Sequence, residues 1–265
     1  MQEGSLIARF GRARRDRSLA VLEGFHPLKH ALRFGANVLL VASRDTDELE
    51  RLAAQLAPDV AARIAELAQA VTPSVFEQLA PLPPTTGVIA LAERPAVDAA
   101  AMLTAPREAP LVLLEDPRDL GNMGACVRVA AAADAAGVLS TGSHDPWAPD
   151  ALRGAAGLHF ALPVARLGEL SALDATSAGE PLAHERPLLA LDPDGAPLLA
   201  RELPARALLA FGTERYGVSD ELLERADARV SIPMRTGVSS LNLATSVAAV
   251  LFAWRLSTPG APEPT

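Results

Sequence analysis

Residues 111–142 read LVLLEDPRDLGNMGACVRVAAAADAAGVLSTG and combine two short apolar runs with a helical pattern between them. Leu111–Leu114 and Gly137–Ser140 have the length and apolar character of buried strands. Residues 122–136, which separate them, consist mostly of Ala and Val and predict a helix. Apolar strands separated by helices indicate an α/β fold in which a mostly parallel sheet is covered on both faces.

The same alternation continues towards the C-terminus. Residues 219–227 and 240–256 have the pattern of two further helices. Four more apolar runs are candidate strands of the same sheet: Phe160–Val164, Leu188–Leu191, Ala207–Phe211 and Val230–Pro233. The chain from residue 111 onwards therefore predicts one large α/β domain.

A smaller α/β pattern occupies residues 20–93, with candidate strands at Ala36–Ala42 and Gly87–Ala92 and candidate helices at 27–34 and 46–57. Residues 94–110 contain three prolines and no clear period, which is typical of a connection between domains. We therefore predict five segments: a basic N-terminal arm (1–19), a small α/β domain (20–104), a linker (105–110), the large domain (111–256) and a disordered, proline-rich tail (257–265).

The charge of the chain is unevenly distributed. A composition of 49% hydrophobic and 21% charged residues excludes disorder or a coiled coil as a description of the whole chain. The formal net charge of −8, taken alone, argues against a nucleic-acid partner. Residues 1–44, however, hold eight Lys/Arg against three Asp/Glu, a balance of +5, and the rest of the chain holds 16 against 29, a balance of −13. This asymmetry predicts a polyanionic partner for the arm, and a solvated terminus without function is the alternative.

The expected compartment is the cytoplasm. A single cysteine, Cys126, excludes an internal disulfide and fits a reducing environment. The N-terminus has no apolar run of the length that a signal peptide needs. The helical part of the uncharged run 236–254 would span about 21 Å, less than the roughly 30 Å hydrocarbon core of a bilayer. We therefore expect no membrane-spanning segment.

Three unusual loops follow predicted strands, where open parallel sheets bind their ligands. In the first, Gly121, Gly124 and Arg128 are spaced i, i+3 and i+7, so bare backbone and one guanidinium share a helix face. Asn122 is the candidate N-cap of this helix. The pattern favours a binding site, and an arginine that reaches solvent from a packed helix is the alternative. G-x-x-G differs from the G-x-G-x-x-G of dinucleotide-binding folds, which argues against a nicotinamide-dependent dehydrogenase.

The second loop, residues 211–226, contains Gly212 at the exit from the sheet, Glu214 within the loop and Gly217 at a further turn. Ser219 is predicted to cap the following helix. A loop glutamate is either catalytic or only solvated, and G-x-E-x-x-G does not decide between these alternatives.

The third loop, residues 231–254, passes from Ile232-Pro233-Met234 to a helix predicted to begin at Ser239 or Ser240. Asn242, in the first turn of this apolar helix, needs hydrogen-bond partners, because an unsatisfied buried amide costs about 1–3 kcal/mol. It is either a site residue or a capping amide. The helix is apolar on all sides, and a subunit interface is one way to cover it.

Taken together, the three loops resemble the motifs of the SpoU/TrmH family of RNA ribose 2′-O-methyltransferases in the SPOUT superfamily. The matching segments are GNMGACVR (121–128), GTERYG (212–217) with IPM (232–234), and SLN (240–242). The likeness covers about residues 111–256. LEGFHPLKHAL (22–32) more weakly resembles the start of the small, ribosomal-protein-like RNA-binding domain that many members carry.

The resemblance implies a C-terminal methyltransferase domain with a trefoil knot, preceded by a small α/β RNA-binding domain. It also implies a homodimer and S-adenosylmethionine (SAM) as cofactor. Its motif positions suggest two groups of site residues. The cofactor-binding group is Gly212, Ile232, Met234 and Leu241, and the catalytic group is Arg128, Asn122, Glu214, Ser240 and Asn242.

The function expected from the resemblance is SAM-dependent methylation of a ribose 2′-hydroxyl, with ribosomal RNA as the first candidate substrate and transfer RNA as the second. Two alternatives are methylation of an RNA base by a knotted relative and RNA binding without turnover. Val129 and Ala155 depart from the residues common in the family, which bears on substrate preference. No metal is expected, because His26 and His30 are spaced i, i+4 without an evident third ligand.

Overall fold

The structure is a computed structural model, and it describes residues 3–174, 176–177, 180–181, 186–199, 203–213 and 216–258. The chain divides into two compact units. The first contains the residues up to Ala96 together with Trp147–Ala161, and the second contains Val97–Pro146 and the residues from Leu162 onwards. The predicted segment 111–256 therefore contributes residues 147–161 to the first unit.

The described helices, in chain order, are α1 (Glu3–Ala13), α2 (Phe25–Arg33), α3 (Thr46–Leu56), α4 (Ala61–Leu67), α5 (Pro73–Phe76), α6 (Ala99–Thr104), α7 (Leu120–Ala132), α8 (Pro149–Gly154), α9 (Asp220–Arg225) and α10 (Leu243–Ser257). The described strands are β1 (Leu19–Glu23), β2 (Val38–Ser43), β3 (Ala68–Ala70), β4 (Val88–Glu93), β5 (Leu111–Leu114), β6 (Gly137–Thr141), β7 (Val164–Gly168), β8 (Thr176–Ser177), β9 (Glu180–Pro181), β10 (Leu188–Pro197), β11 (Leu208–Phe211) and β12 (Ala228–Ser231). None of the described helices is long and apolar enough to cross a membrane.

The first unit is built on a four-stranded sheet with the order β1-β4-β2-β3. Strand β4 pairs antiparallel with β1 and β2, and β3 pairs parallel with β2. The segment 147–161 belongs to this unit because its side chains bind there. Arg153 donates to the buried carboxylate of Glu23 at 2.8 Å, and Trp147 lies 5.3 Å from the guanidinium of Arg94.

The N-terminal segment is a packed helix rather than a free arm. Leu6, Phe10 and Ala13, on one face of α1, are buried in the hydrophobic core of the first unit. Arg14 extends from the end of this helix and donates to Glu23 at 2.7 Å. The spacing of Leu6, Phe10 and Ala13 places an apolar stripe on one face of a helix that also carries basic residues. The helix was not predicted from the sequence, because only the charge of this segment was considered.

His30, one of the two histidines considered as metal ligands, has a structural contact instead. Its Nδ1 donates to the carbonyl oxygen of Ala156 at 2.7 Å. Burial lowers the pKa of His30, which favours this neutral, donating form. No group of three or more His, Cys, Asp or Glu that could hold a metal occurs among the residues that the structure describes.

The second unit contains a six-stranded sheet with the order β12-β10-β11-β5-β6-β7, and every pair in it is parallel. The predicted α/β fold with a parallel sheet is therefore confirmed. From β5 the chain moves outwards to β6 and β7, and it later returns on the other side of β5 as β11 and its neighbours. This reversal of direction is a switch point, where open α/β sheets form their ligand crevices. The trefoil knot stays a prediction.

One strand prediction is wrong in its position. Residues Phe160–Val164 were expected to form a strand, but Leu158–Phe160 is a 3₁₀-helix and the strand β7 starts only at Val164. Phe160 is not part of a strand, and its ring instead packs against Trp147 at a centroid distance of 5.2 Å. An apolar run of five residues does not distinguish a strand from such a packed turn.

Candidate active site

A cavity of about 510 Å³ lies at the carboxyl ends of β11 and β12 and beside the middle of β10. This volume is in the range of small-molecule and cofactor sites. The residues around it come from β10 and from the segments that follow β11 and β12, and all four predicted cofactor-binding residues are among them: Gly212, Ile232, Met234 and Leu241. Ser240, from the predicted catalytic group, also lines the cavity.

The loop after β11 closes on itself in front of the cavity. Thr213 and Gly217 exchange two backbone hydrogen bonds of 2.9 and 3.0 Å, and Tyr216 N donates to Thr213 Oγ1 at 3.0 Å. A Cβ atom on Gly212 would lie 2.0 Å from the carbonyl carbon of Gly217, so only glycine fits this crossing. Glu214, a predicted catalytic residue, lies outside the described residues.

Glu115 binds Ser219 at the C-terminal end of this loop, and it was not identified as a site residue from the sequence. Its buried carboxylate follows β5 and accepts hydrogen bonds from both the backbone N–H of Ser219, at 2.9 Å, and the Ser219 hydroxyl. Ser219 caps α9 as predicted, because its Oγ accepts from Leu222 N at 3.2 Å. An acidic residue directly after an apolar strand was the only sequence signal for Glu115, and that pattern usually indicates solvent.

Asn122 and Asn242, which lie in different motifs, form a direct contact. Asn242 Nδ2 donates to Asn122 Oδ1 at 3.0 Å. Asn242 is also the N-cap of α10, because its Oδ1 accepts from Ala244 N and Thr245 N at 3.0 and 3.3 Å. The helix therefore starts three residues after Ser240, and the predicted start at Ser239 or Ser240 is wrong. The Asn242 side chain therefore caps α10 with its oxygen and contacts Asn122 with its nitrogen.

The predicted N-cap role of Asn122 is also wrong. Asp119 caps α7, and its Oδ1 accepts from Asn122 N at 2.7 Å. Two candidate N-caps three residues apart cannot be ranked from sequence, because both residue types satisfy the same backbone donors. With its backbone bound by Asp119, Asn122 has its side-chain oxygen available for Asn242.

Arg128 lies on the exposed side of α7, and the cavity-lining residues do not include it. Within the part of the chain that the structure describes, its guanidinium makes no ion pair. Gly121 is exposed on the same helix, whereas Gly124 is buried. The expected face of bare backbone beside Arg128 is therefore only partly open, because α7 packs against α10 along its other side.

The fold and the cavity define an α/β protein with a cavity of cofactor size at the carboxyl edge of a parallel sheet. The model of the SpoU rRNA methylase family matches residues 109–252. The chain therefore belongs to the SpoU rRNA methylase family, and the resemblance of its three motifs is confirmed.

Individual relatives agree with this assignment. The chain is 31% identical over 244 residues to the 23S rRNA (uridine(2479)-2′-O)-methyltransferase of Streptomyces viridochromogenes, covering 89% of this chain and 78% of that protein. It is 32% identical over 148 residues to the 23S rRNA (guanosine(2553)-2′-O)-methyltransferase RlmP of Bacillus subtilis, covering 54% of this chain and 56% of RlmP. Several matched relatives are, like RlmP, covered by the chain over little more than half of their length.

Solved structures share the fold over nearly the whole chain. A crystal structure of an RNA 2′-O ribose methyltransferase matches with a TM-score of 0.71 and 26% identity, covering 94% of this chain and 95% of that one. The SpoU methyltransferase AviRb from Streptomyces viridochromogenes, in complex with AdoMet, matches with a TM-score of 0.72 and 24% identity, covering 94% and 97%. At the latter identity, the likeness concerns the fold.

Proposed function

We propose that this protein is a SAM-dependent methyltransferase that modifies a ribose 2′-hydroxyl in RNA, with ribosomal RNA as the favoured substrate. The observation that carries the proposal is that the second and third family motifs line one cavity at the carboxyl edge of the sheet. The first motif is joined to the third by the hydrogen bond between Asn122 and Asn242. The names of two relatives, both 23S rRNA 2′-O-methyltransferases, support the choice of ribosomal RNA.

The cavity residues have the chemistry that SAM requires. Apolar side chains such as Phe211 and Val230 offer a surface for an adenine ring. The hydroxyl groups of Thr213, Ser239 and Ser240 can hydrogen-bond to a ribose and an amino acid. Glycine at 212 lets the loop backbone approach closely, as backbone recognition of a cofactor needs.

When bound, SAM would supply an electrophilic methyl group to the ribose oxygen and would leave as S-adenosylhomocysteine. The proton of the 2′-hydroxyl would pass to solvent water, and negative charge would develop on the ribose oxygen. Arg128 is the residue that we assign to the target phosphate and to this developing charge, because a fixed cation stabilises an oxyanion. A guanidinium remains protonated in proteins and is unsuited to act as the base. Glu214, Ser240 and Asn242 are assigned to the orientation of loop, ribose and cofactor.

Incubation with isotopically labelled SAM and separate RNA pools tests the function directly. The pools are protein-free 23S and 16S RNA, intact ribosomal subunits and transfer RNA. Nuclease digestion followed by mass spectrometry is expected to find the label on ribose 2′-oxygens of a ribosomal RNA. A label on a base would favour the base-methylating alternative. SAM binding without transfer to any pool would contradict the proposed activity, and RNA binding without SAM binding would favour the non-catalytic alternative.

The exposed arginines of the N-terminal segment are expected to contact the RNA backbone. Arg12, Arg15 and Arg17 are exposed and make no ion pair with any described residue. Because α1 packs into the core, the test replaces these charges and leaves the helix in place. The triple change Arg12→Gln, Arg15→Gln and Arg17→Gln is expected to weaken RNA binding and to reduce the salt slope by about 1 for each phosphate that is no longer neutralised. Filter binding at several salt concentrations measures both effects.

The matched control for this change is another triple substitution in the same unit. Arg33, Arg51 and Arg63 are each paired with a carboxylate, namely Asp59, Glu48 and Glu66. Their replacement by glutamine removes the same formal charge and is expected to leave the salt slope nearly unchanged. Equal effects of the two triple changes would contradict a specific role of the N-terminal arginines.

We also propose that the protein is a homodimer in which α10 is covered by a second copy. Val247, Val250, Leu251 and Trp254 are buried on one side of this helix, whereas Phe252 and Leu256 are 38% and 85% exposed on the other. The double change Phe252→Asp and Leu256→Asp is expected to convert the dimer to a monomer, measured by sedimentation. Leu82→Asp, at an exposed leucine of the first unit, is the control and is expected to stay dimeric. A monomeric unmodified protein would contradict the proposal.

The cytoplasmic location stays a prediction from the sequence. RNA modification in the cytoplasm is compatible with the single cysteine, which the structure places in a buried position on α7.

A further inference from the structure

Asp192 is the only residue with a formal charge among the described residues that line the cavity. It lies in β10, between Leu191 and Pro193, which also line the cavity. The pairing of β10 with β12 shifts register between Leu191 and Ala196, so Asp192 lies in an irregular part of the strand. Its side chain is only 15% exposed. A carboxylate held in a small, half-apolar cavity is costly unless a ligand or partner compensates its charge.

The protein compensates the charge of Asp192 only partly. Its Oδ1 accepts from the backbone N–H of Asp194 at 3.0 Å. Its Oδ2 lies 3.9 Å from Arg229 Nη1, a distance too long for a hydrogen bond, and the Arg229 side chain is 52% exposed. A carboxylate offers about four acceptor positions, so these two contacts leave capacity for a ligand.

We propose that Asp192 binds a cationic group of the cofactor and thereby contributes to the preference of the cavity for its ligand. This inference rests on the proposed function, since it concerns the same cavity. SAM carries two positive groups, the sulfonium and the α-ammonium. Its demethylated product, S-adenosylhomocysteine, retains only the ammonium, and 5′-methylthioadenosine has neither. These three ligands therefore report separately on each charge.

The Asp192→Asn variant removes the charge and retains an oxygen that can accept from Asp194 N. Isothermal titration calorimetry with the three ligands measures the effect. The affinity for SAM is expected to fall about tenfold or more, as when a charge-assisted hydrogen bond is removed. The affinity for 5′-methylthioadenosine is expected to stay within about twofold, because a neutral ligand does not depend on the carboxylate charge. A cavity that had merely changed its shape would bind all three ligands more weakly.

The affinity for the product, S-adenosylhomocysteine, shows which of the two cationic groups Asp192 contacts. If Asp192 contacts the sulfonium, only SAM binds more weakly to the variant, and the preference for SAM over its product decreases. If Asp192 contacts the ammonium, the affinities for SAM and S-adenosylhomocysteine decrease equally. Either result supports the proposal.

The control is Asp194→Asn, which makes the same change two residues further along β10 at an exposed side chain that does not line the cavity. It is expected to bind all three ligands like the unmodified protein. Unchanged SAM affinity in Asp192→Asn, or an equal decrease in Asp194→Asn, would overturn the inference. Failure of the unmodified protein to bind SAM would instead overturn the proposed function, so the two failures are distinguishable.

Discussion

The Arg128→Ala variant is expected to lose about 10²- to 10³-fold in kcat, the usual effect of removing one charge-stabilising donor from an active site. Arg128 is exposed on α7 and makes no ion pair within the described residues, so its guanidinium is available for the RNA. It does not line the cavity, and the affinity for SAM is therefore expected to stay unchanged. Single-turnover methylation assays measure the rate, and calorimetry measures the SAM affinity.

Arg128→Lys separates the two roles assigned to this side chain. Lysine retains a positive charge but lacks the planar, bidentate donors of a guanidinium. We expect a large loss of turnover even at saturating RNA. Near-normal turnover with only weaker RNA binding would contradict the charge-stabilising role. Arg107→Ala is the control, because Arg107 in the same unit is already paired with Asp134, and its removal is expected to leave kcat nearly unchanged.

The Gly212→Ala variant is expected to lose measurable SAM binding. The added methyl group would lie 2.0 and 2.1 Å from the carbonyl carbon and oxygen of Gly217. These are backbone atoms, and the hydrogen-bonded pair of Thr213 and Gly217 holds them in place. The loop must therefore open, which changes the cavity that Gly212 lines. Overpacking of this kind costs about 1–3 kcal/mol in the free energy of unfolding, so thermal denaturation is measured beside calorimetry.

Gly217→Asn is the matched control in the same loop. Gly217 has a φ of +69°, a conformation that asparagine adopts more readily than most residues. No atom lies within 4 Å of the position that its Cβ would occupy. We therefore expect only a modest loss of SAM affinity. If Gly212→Ala bound SAM as well as Gly217→Asn does, the steric explanation for glycine at position 212 would be wrong.

The parallel sheet was predictable from sequence because its central strands β5, β6 and β11 are buried throughout. Leu111–Leu114 and Leu188–Leu191 are apolar without interruption, and such runs have few alternatives when helical patterns separate them. Phe160–Val164 was predicted wrongly for the same reason, since a turn packed against Trp147 is equally apolar. The strand β1 was not predicted, because LAVLE lies within the charged N-terminal region and ends in a glutamate. That glutamate, Glu23, is buried only because Arg14 and Arg153 bind it.

The sequence predicted which residues belong to the candidate site better than it predicted the contacts between them. Gly212, Ile232, Met234 and Leu241 line one cavity, although they come from two loops of the chain. Asp192 and Glu115 were missed because an acidic residue beside an apolar strand usually lies in solvent. Their burial depends on groups distant in sequence, such as Ser219 for Glu115. The N-cap of α7 was predicted as Asn122 instead of Asp119 because both residue types are strong N-caps.

The sequence by itself determined the α/β class, the parallel sheet, the family and the loops that carry its motifs, because these follow from local periodicity and from short, ordered patterns. Only the tertiary structure decided that α1 is a core helix, that residues 147–161 belong to the first unit and that Asn242 contacts Asn122. It also decided that Asp192 is the charged residue of the described cavity lining. Contacts of this kind join groups far apart in the chain, and burial and hydrogen bonding select them only once the whole fold has formed.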